Sequence, residues 1–476
     1  MSAFGLEVLA ASGAALLAVQ SHRMTEWLRV PTPLLFLVAA AIVPVAAPAA
    51  GTVQDVVTVA LVAILFDGGL HIGARRFRGA AAGILSLGVA GTFATVAGGA
   101  LLVHLALGVN WYLAVLVATA IAPTDPAVVF SVLGRREVEG RSGTVLEGES
   151  GANDPVGIAL MAALLSAGSL GGDSLLSAAG DFALQLGVGA AVGVVGARLL
   201  LVLMRSALPA EGLYAVRALV GSGVLFGVAS WAHGSGLLAV FVAGIVLGDE
   251  RAPYKREVER FQSALASLGE VVAFALLGLT VDLDVLSRSD VWLPGLVIGS
   301  LLALVVRPVV AWPLLLPARL GRGEQAFVLF AGLKGAVPLL LGSMLLPLPH
   351  GARLYGVVVV TVVVSVAVQG TLVPTLAQRL GVRMRAVEPE PFSLGVRVRD
   401  EPRAAHRVTV VAATRADGIA IADLHELSDG TWISLVLRDG ALLPVRGDTV
   451  LRPGDDVLVL VDEERDAGAV RQLFTG

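Results

Sequence analysis

The chain has 476 residues, of which 56% are hydrophobic and 15% charged, with a net charge of −4 and a mean hydropathy of +0.83. Soluble domains carry about a quarter charged residues, so a purely soluble protein is excluded. The absence of cysteine removes disulfides, thiolate metal sites and cysteine nucleophiles.

Apolar runs of roughly 17–25 residues recur, the length a helix needs to cross a bilayer. Hydropathy predicts about thirteen spans, near residues 3–20, 32–50, 54–71, 80–104, 111–133, 149–168, 180–204, 213–232, 236–248, 264–281, 292–316, 325–347 and 354–377. The first lacks a basic leader and contains Glu7, so it reads as a retained helix rather than a cleaved signal. Arg23 and Arg29, then Arg75, Arg76 and Arg78, then Arg135, Arg136 and Arg141 fall in odd-numbered loops. Arg205, Arg251, Lys255, Arg256, Arg260, Arg319 and Arg322 continue that series, while the even loops hold only Arg288 and Arg353. The positive-inside rule then places the odd loops and the C-terminus in the cytoplasm and the N-terminus outside.

Two spans are interrupted. The fifth contains Pro123-Thr124-Asp125-Pro126, and the twelfth contains Gly332-Leu333-Lys334-Gly335-Ala336-Val337-Pro338. Proline lacks an N–H and clashes with the preceding turn, and glycine weakens a helix, so both segments are expected to unwind within the membrane. Two interrupted helices in corresponding halves predict a transporter of inverted repeats with its site where they cross. The alternative is a pair of ordinary proline kinks, which membrane helices tolerate.

The sixth span carries Glu149-Ser150-Gly151-Ala152-Asn153-Asp154-Pro155. On a helix Glu149 and Asn153 share one face, and Ser150 and Asp154 the next. One face suits an internal hydrogen-bonded brace, and the other presents a carboxylate and a hydroxyl to a cation. Asp154 is the principal candidate, because burial disfavours a charged carboxylate and makes a proton and a cation competing occupants. Asp125 is the expected second carboxylate, with oxygen ligands from the unwound backbone around Thr124. The alternative for Asp154 is a structural capping role. Arg307, in the eleventh span, is expected to pair with Glu149. Lys334 either neutralises the helix crossing or moves with the titrating carboxylates. Asp67 either lines a cytoplasmic entry funnel or snorkels at a helix end. Glu7, His233 and Glu270 read as structural. No phosphate loop, zinc spacing or nucleophile elbow is present, so an enzyme is not expected, nor is a nucleic-acid partner.

Past Pro374 the composition changes. Residues 381–405 read as a charged linker, and short alternating runs at 408–411, 432–437 and 457–461 between turn signals predict a small α+β domain. At about 70 residues such a domain is marginal alone, and dimerisation would relieve that.

The Thr124-Asp125-Pro126 break, the Glu149–Asp154 run, the Arg307-Pro308 pair and the Gly332–Pro338 segment together resemble the cation:proton antiporter-1 family of bacterial sodium or potassium/proton exchangers. The resemblance covers roughly residues 5–380 and implies a homodimer with a six-helix core moving as an elevator. It implies a K⁺ or Na⁺ ion held by Asp154, Asp125, Ser150 and the Thr124 carbonyl, supported by a triad of Asn153, Glu149 and Arg307. Asn immediately before the key Asp goes with electroneutral exchange in that family. Lys334 departs from the arginine common there, and a lysine can lose its proton in a dry site, which loosens the implied stoichiometry. Residues 406–476 resemble an RCK_C (TrkA-C) domain through Gly418, Asp423-Leu424, Arg438-Asp439-Gly440, Leu443-Pro444 and Pro453-Gly454-Asp455. Such domains pair and regulate potassium channels and exchangers, in some relatives through cyclic di-AMP; no glycine-rich nucleotide-binding half precedes this one. The expectation is a multi-pass plasma-membrane exchanger domain over 1–380, a linker over 381–405 and a regulatory domain over 406–476. It uses no cofactor, and membrane lipid surrounds it. The contrasting classes are a regulated cation channel, which would need a selectivity filter that the sequence lacks, and a non-transporting membrane sensor.

Overall fold

The computed structural model describes residues 31–42, 48–133, 136–206, 210, 212–250, 252–386, 404–424, 431–438, 441–461 and 473–475. The span expected at 3–20, with Glu7, Arg23 and Arg29, lies outside the described residues, as do Arg135, Arg251 and most of the linker. The chain divides into two compact units, Met1–Glu388 and Pro389–Gly476.

The first unit is helical. It opens with α1 (Thr32–Ile42), α2 (Ala50–Leu85), α3 (Gly91–Leu107), α4 (Trp111–Ile121) and α5 (Pro126–Leu133). After the short strand β1 (Arg136–Val138) come α6 (Arg141–Ala167), α7 (Gly172–Arg205), α8 (Gly212–Trp231), α9 (Gly236–Gly248) and α10 (Lys255–Leu279). Then follow α11 (Leu283–Ser287), α12 (Ser289–Leu301), α13 (Arg307–Leu315), α14 (Arg322–Phe330), α15 (Ala336–Ser343), α16 (Gly351–Val364) and α17 (Gly370–Arg379). Strand β2 (Met384–Ala386) closes the unit by pairing antiparallel with β1. Among the described residues, seven helical stretches are long and apolar enough to cross a membrane. One of them, Ala50–Leu107, has 58 residues. At about 1.5 Å per residue it is roughly 87 Å long, far more than one crossing of a ~30 Å hydrocarbon core. Gly73 divides it, with φ 65 and ψ 160, a conformation only glycine takes readily.

Small residues allow one close helix contact. Gly69 and Gly73 on α2 face Gly244 and Gly248 on α9, and a Cβ on Gly244 would lie 3.0 Å from the Gly69 Cα. Four-residue spacing of glycine lets two backbones approach and gain dispersion contacts that lipid cannot supply. That approach delivers Phe241 of α9 against Gly151 of α6, where any side chain would overlap the ring.

Among the described residues, three π turns interrupt the helices, at Ser86–Ala90, Leu302–Val306 and Ser365–Gln369. Each inserts an extra residue and re-aims the side chains around it. The first packs on the site helix, since a Cβ on Gly88 would lie 3.1 Å from the Glu149 carbonyl. The second has a local cause: Pro308 has no N–H to return to the carbonyl one turn earlier.

The second unit is a small sheet, β3 (Ala404–Thr409), β4 (Thr431–Arg438), β5 (Ala441–Leu443) and β6 (Asp456–Val461), in the order β3-β6-β4-β5. Alternation buries Val457, Val459 and Val461 with Val408, Val436, Leu451 and Phe474. Arg438 clamps the fully buried Asp455 with bonds of 2.8 and 2.7 Å. That guanidinium holds the Asp455 carboxyl below the usual carboxylate range.

Candidate functional site

The first interruption lies between α4 and α5 at residues 122–125, and the second between α14 and α15 at 331–335. Their backbones meet: the Asp125 N–H donates to the Leu333 carbonyl at 2.7 Å. Pro126 fits a first helical turn but cannot donate to the Ala122 carbonyl behind it. Lys334 does so instead, its Nζ donating to the carbonyls of Ala122 at 2.9 Å and Pro123 at 3.2 Å. Glycine is required at this meeting. A Cβ on Gly335 would overlap the Asp125 carboxylate, and one on Gly332 would overlap the Arg307 guanidinium.

Asp125 and Asp154 sit in different chemistry. The Asp125 Oδ1 accepts from the Ala127 N–H at 2.9 Å, and the N–H groups of Val128 and Ala336 also face its carboxylate. Asp125 thus stands at the N-terminal ends of both α5 and α15, where free donors and helix dipoles complement negative charge. Asp154 is only 9% exposed, and its carboxylate makes no hydrogen bond or ion pair with any described residue. It lies within electrostatic reach of Asp125 and Lys334. A buried carboxylate without a partner is costly unless it is protonated or holds a cation.

Around it α6 is tied to both interruptions. Asn153 Nδ2 donates to Thr124 Oγ1 at 2.8 Å and its Oδ1 accepts from the Thr124 N–H at 3.4 Å. The hydroxyls of Ser150 and Thr124 are 3.2 Å apart. Glu149 binds Arg307 through two bonds, Nη1 to Oε1 at 2.9 Å and Nη2 to Oε2 at 3.0 Å. Arg307 also donates to the carbonyls of Leu329 at 2.9 Å and Val328 at 3.4 Å, at the end of α14.

The brace foreseen within α6, Asn153 to Glu149, is instead two ties to other segments. An amide has a donor and an acceptor, and the unwound Thr124 supplies a partner for each; Glu149, acceptor only, takes the guanidinium. Asp67 bonds elsewhere, accepting from Ser263 of α10 at 2.9 Å with His71 Nδ1 3.3 Å away. His233 is exposed in a turn at φ 59. Glu270, which reads as structural in the sequence, has a setting of its own. Its Oε1 is buried with no hydrogen-bond partner, and it lies within electrostatic reach of Asp125. The signal in the sequence was an acid inside an apolar run.

Interrupted apolar helices that meet around buried acids define an integral membrane protein of transporter architecture. Residues 12–379 match the family described as sodium/hydrogen exchanger, transmembrane, and residues 405–474 match the TrkA-C domain. The chain belongs to the sodium/hydrogen exchanger family and ends in a TrkA-C domain. The K(+)/H(+) antiporter NhaP2 of Shewanella oneidensis is 32% identical over 87% of this chain and 73% of its own. The K(+)/H(+) antiporter NhaP of Alkalimonas amylolytica is 30% identical over 85% of this chain and 71% of its own. The solved structure of the sodium proton antiporter MjNhaP1 from Methanocaldococcus jannaschii shares the fold, with a TM-score of 0.67 over 79% of this chain and 99% of that one, at 20% identity.

Proposed function

We propose that this protein is an electroneutral monovalent cation/proton antiporter that exchanges K⁺ for H⁺ at Asp154. The observation that carries this reading is the buried, unpartnered Asp154 beside Asp125 at the meeting of two interrupted helices. The ion binds Asp154, Asp125, Ser150 and the Thr124 carbonyl, a hard oxygen set suited to an alkali cation. Proton and cation exclude one another at Asp154, and that exclusion couples their flows. Asn153, Glu149 and Arg307 hold the frame. Asp67 lies on the approach to the site, and Lys334 supplies the compensating charge. The preference for K⁺ over Na⁺ follows the potassium activity named for both relatives.

The two interrupted helices cross as the centre of inverted repeats within about thirteen spans. Access alternates by an elevator movement of the core in a homodimer of the plasma membrane, with the N-terminus outside and the C-terminus cytoplasmic. Residues 1–380 form the exchanger, 381–405 the linker and 406–476 a regulatory TrkA-C domain answering a nucleotide of the cyclic di-AMP class.

Reconstitution into vesicles with a trapped pH dye tests this. Opposing gradients of K⁺, Na⁺ or Li⁺ are expected to drive proton movement without net current, K⁺ most strongly. Net cation current without proton counterflow would overturn antiport in favour of a channel, and absence of any flux would favour a sensor.

Gly335→Ala gives a separate check of the meeting point. The added methyl falls on the Asp125 carboxylate, and overpacking of this kind costs about 1–3 kcal/mol. Exchange in the same vesicles is expected to fall roughly tenfold or more, while the purified protein remains folded.

A further inference from the structure

An unbroken helix would pair the Lys334 N–H with the Phe330 carbonyl, four residues earlier. Here those two groups are held apart by side chains of one neighbouring helix. The Lys334 N–H donates to Ser365 Oγ at 3.2 Å. Ser365 Oγ donates to Gln369 Oε1 at 2.7 Å, and Gln369 Nε2 donates to the Phe330 carbonyl at 3.1 Å. A relay of three bonds therefore replaces one missing helical bond. Its side chains are buried, with Ser365 at 3% and Gln369 at 5% exposure.

The relay comes from the π turn that spans Ser365–Gln369, which places both side chains against the interruption. A cavity of about 10 Å³ lies beside it, bordered by Thr361, Gly332, Lys334 and Arg307. A buried N–H and a buried carbonyl that lose their partners recover them most directly from each other. Closing the Lys334–Phe330 bond would rewind the segment and draw the lysine from the carbonyls of Ala122 and Pro123.

We propose that Ser365 and Gln369 are positioning residues that hold the second interrupted helix open and so fix the Lys334 ammonium beside the ion site. The inference rests on the antiport reading above. The charged groups around Lys334 are Arg307 of α13, Glu149 and Asp154 of α6, and Asp125, whose carboxylate lies against the neighbouring Gly335; α16 and its π turn bring only the neutral relay. The placed ammonium repels a bound cation and speeds its release. Loss of the relay withdraws that charge, so the cation binds more tightly and leaves more slowly.

The test is exchange kinetics of the full chain in vesicles. Ser365→Ala and Gln369→Met are each expected to lower the apparent KM for the transported cation about threefold or more, together with the maximal rate, the signature of a lost ground-state repulsion. Ser365→Thr keeps the hydroxyl and is expected to retain wild-type values. In a Lys334→Met background neither substitution should change KM further, because the effect runs through that lysine. Each substitution cuts one end of the relay, so if one variant fails to fold the other end decides. An unchanged KM, a fall in rate alone, or the same KM change without Lys334 would overturn the proposal. Asp154→Asn in parallel keeps the two readings distinct: loss of exchange there, with unchanged KM in the relay variants, removes the relay and leaves antiport standing.

Discussion

Asp154→Asn is expected to reduce cation-driven proton movement to the level of protein-free vesicles, for K⁺, Na⁺ and Li⁺ alike. Asparagine has nearly the same shape, yet it neither binds a proton near neutral pH nor carries the charge that holds a cation. Folding should survive, because the Asp154 carboxylate makes no hydrogen bond or ion pair with the described protein. Purified mutant and wild type should therefore melt within a few degrees of one another, separating loss of function from loss of structure. Asp125→Asn should behave differently. Its carboxylate faces N–H groups from two helix starts, and an amide NH2 group turned on those donors would cost stability as well as transport. Retained exchange in Asp154→Asn would remove that residue from the mechanism.

The contrast between these two acids was only half legible in the sequence. That both were special followed from an elementary cost: charges inside apolar runs are expensive, and proline and glycine beside them unwind the helix. The apolar run lengths likewise fixed most helices, because lipid thickness constrains them. Arg307 and Glu149 could be paired at a separation of 158 residues because each buried charge needs an opposite. Partners that depend on how helices are seated against one another were not legible. Asn153 shares a helix face with Glu149, yet its partner is Thr124, set by where α4 ends against α6. Ser365 and Gln369 sit in a valine-rich run where a lone serine and glutamine carry no periodic signal, and the π turn that aims them has no simple composition. Glu270 could be seen as an acid in an apolar run, but only the fold showed its Oε1 without a partner.

Arg307→Met is expected to cost more stability than any other single change in the site. Glu149 is 2% exposed, and removing one member of a buried ion pair leaves the other charge stranded, at about 3–5 kcal/mol. Arg307 also serves the Val328 and Leu329 carbonyls at the end of α14, which lose their helical partners where the helix unwinds. The double variant Arg307→Met/Glu149→Leu removes both charges, and apolar replacement of a buried pair is often neutral. It should recover much of the loss but not all, because the two carbonyls stay unserved, at about 1–3 kcal/mol. Thermal midpoints of detergent-purified protein give the comparison, with the double variant expected between the single variant and wild type. Equal midpoints for single and double variants would show that Glu149 is not what Arg307 stabilises. Full recovery of both midpoint and exchange would show that the α14 end needs no guanidinium. The intermediate result, a refolded protein that still exchanges poorly, is expected because Arg307 does two jobs: it neutralises α6 and caps the helix whose interruption carries Lys334.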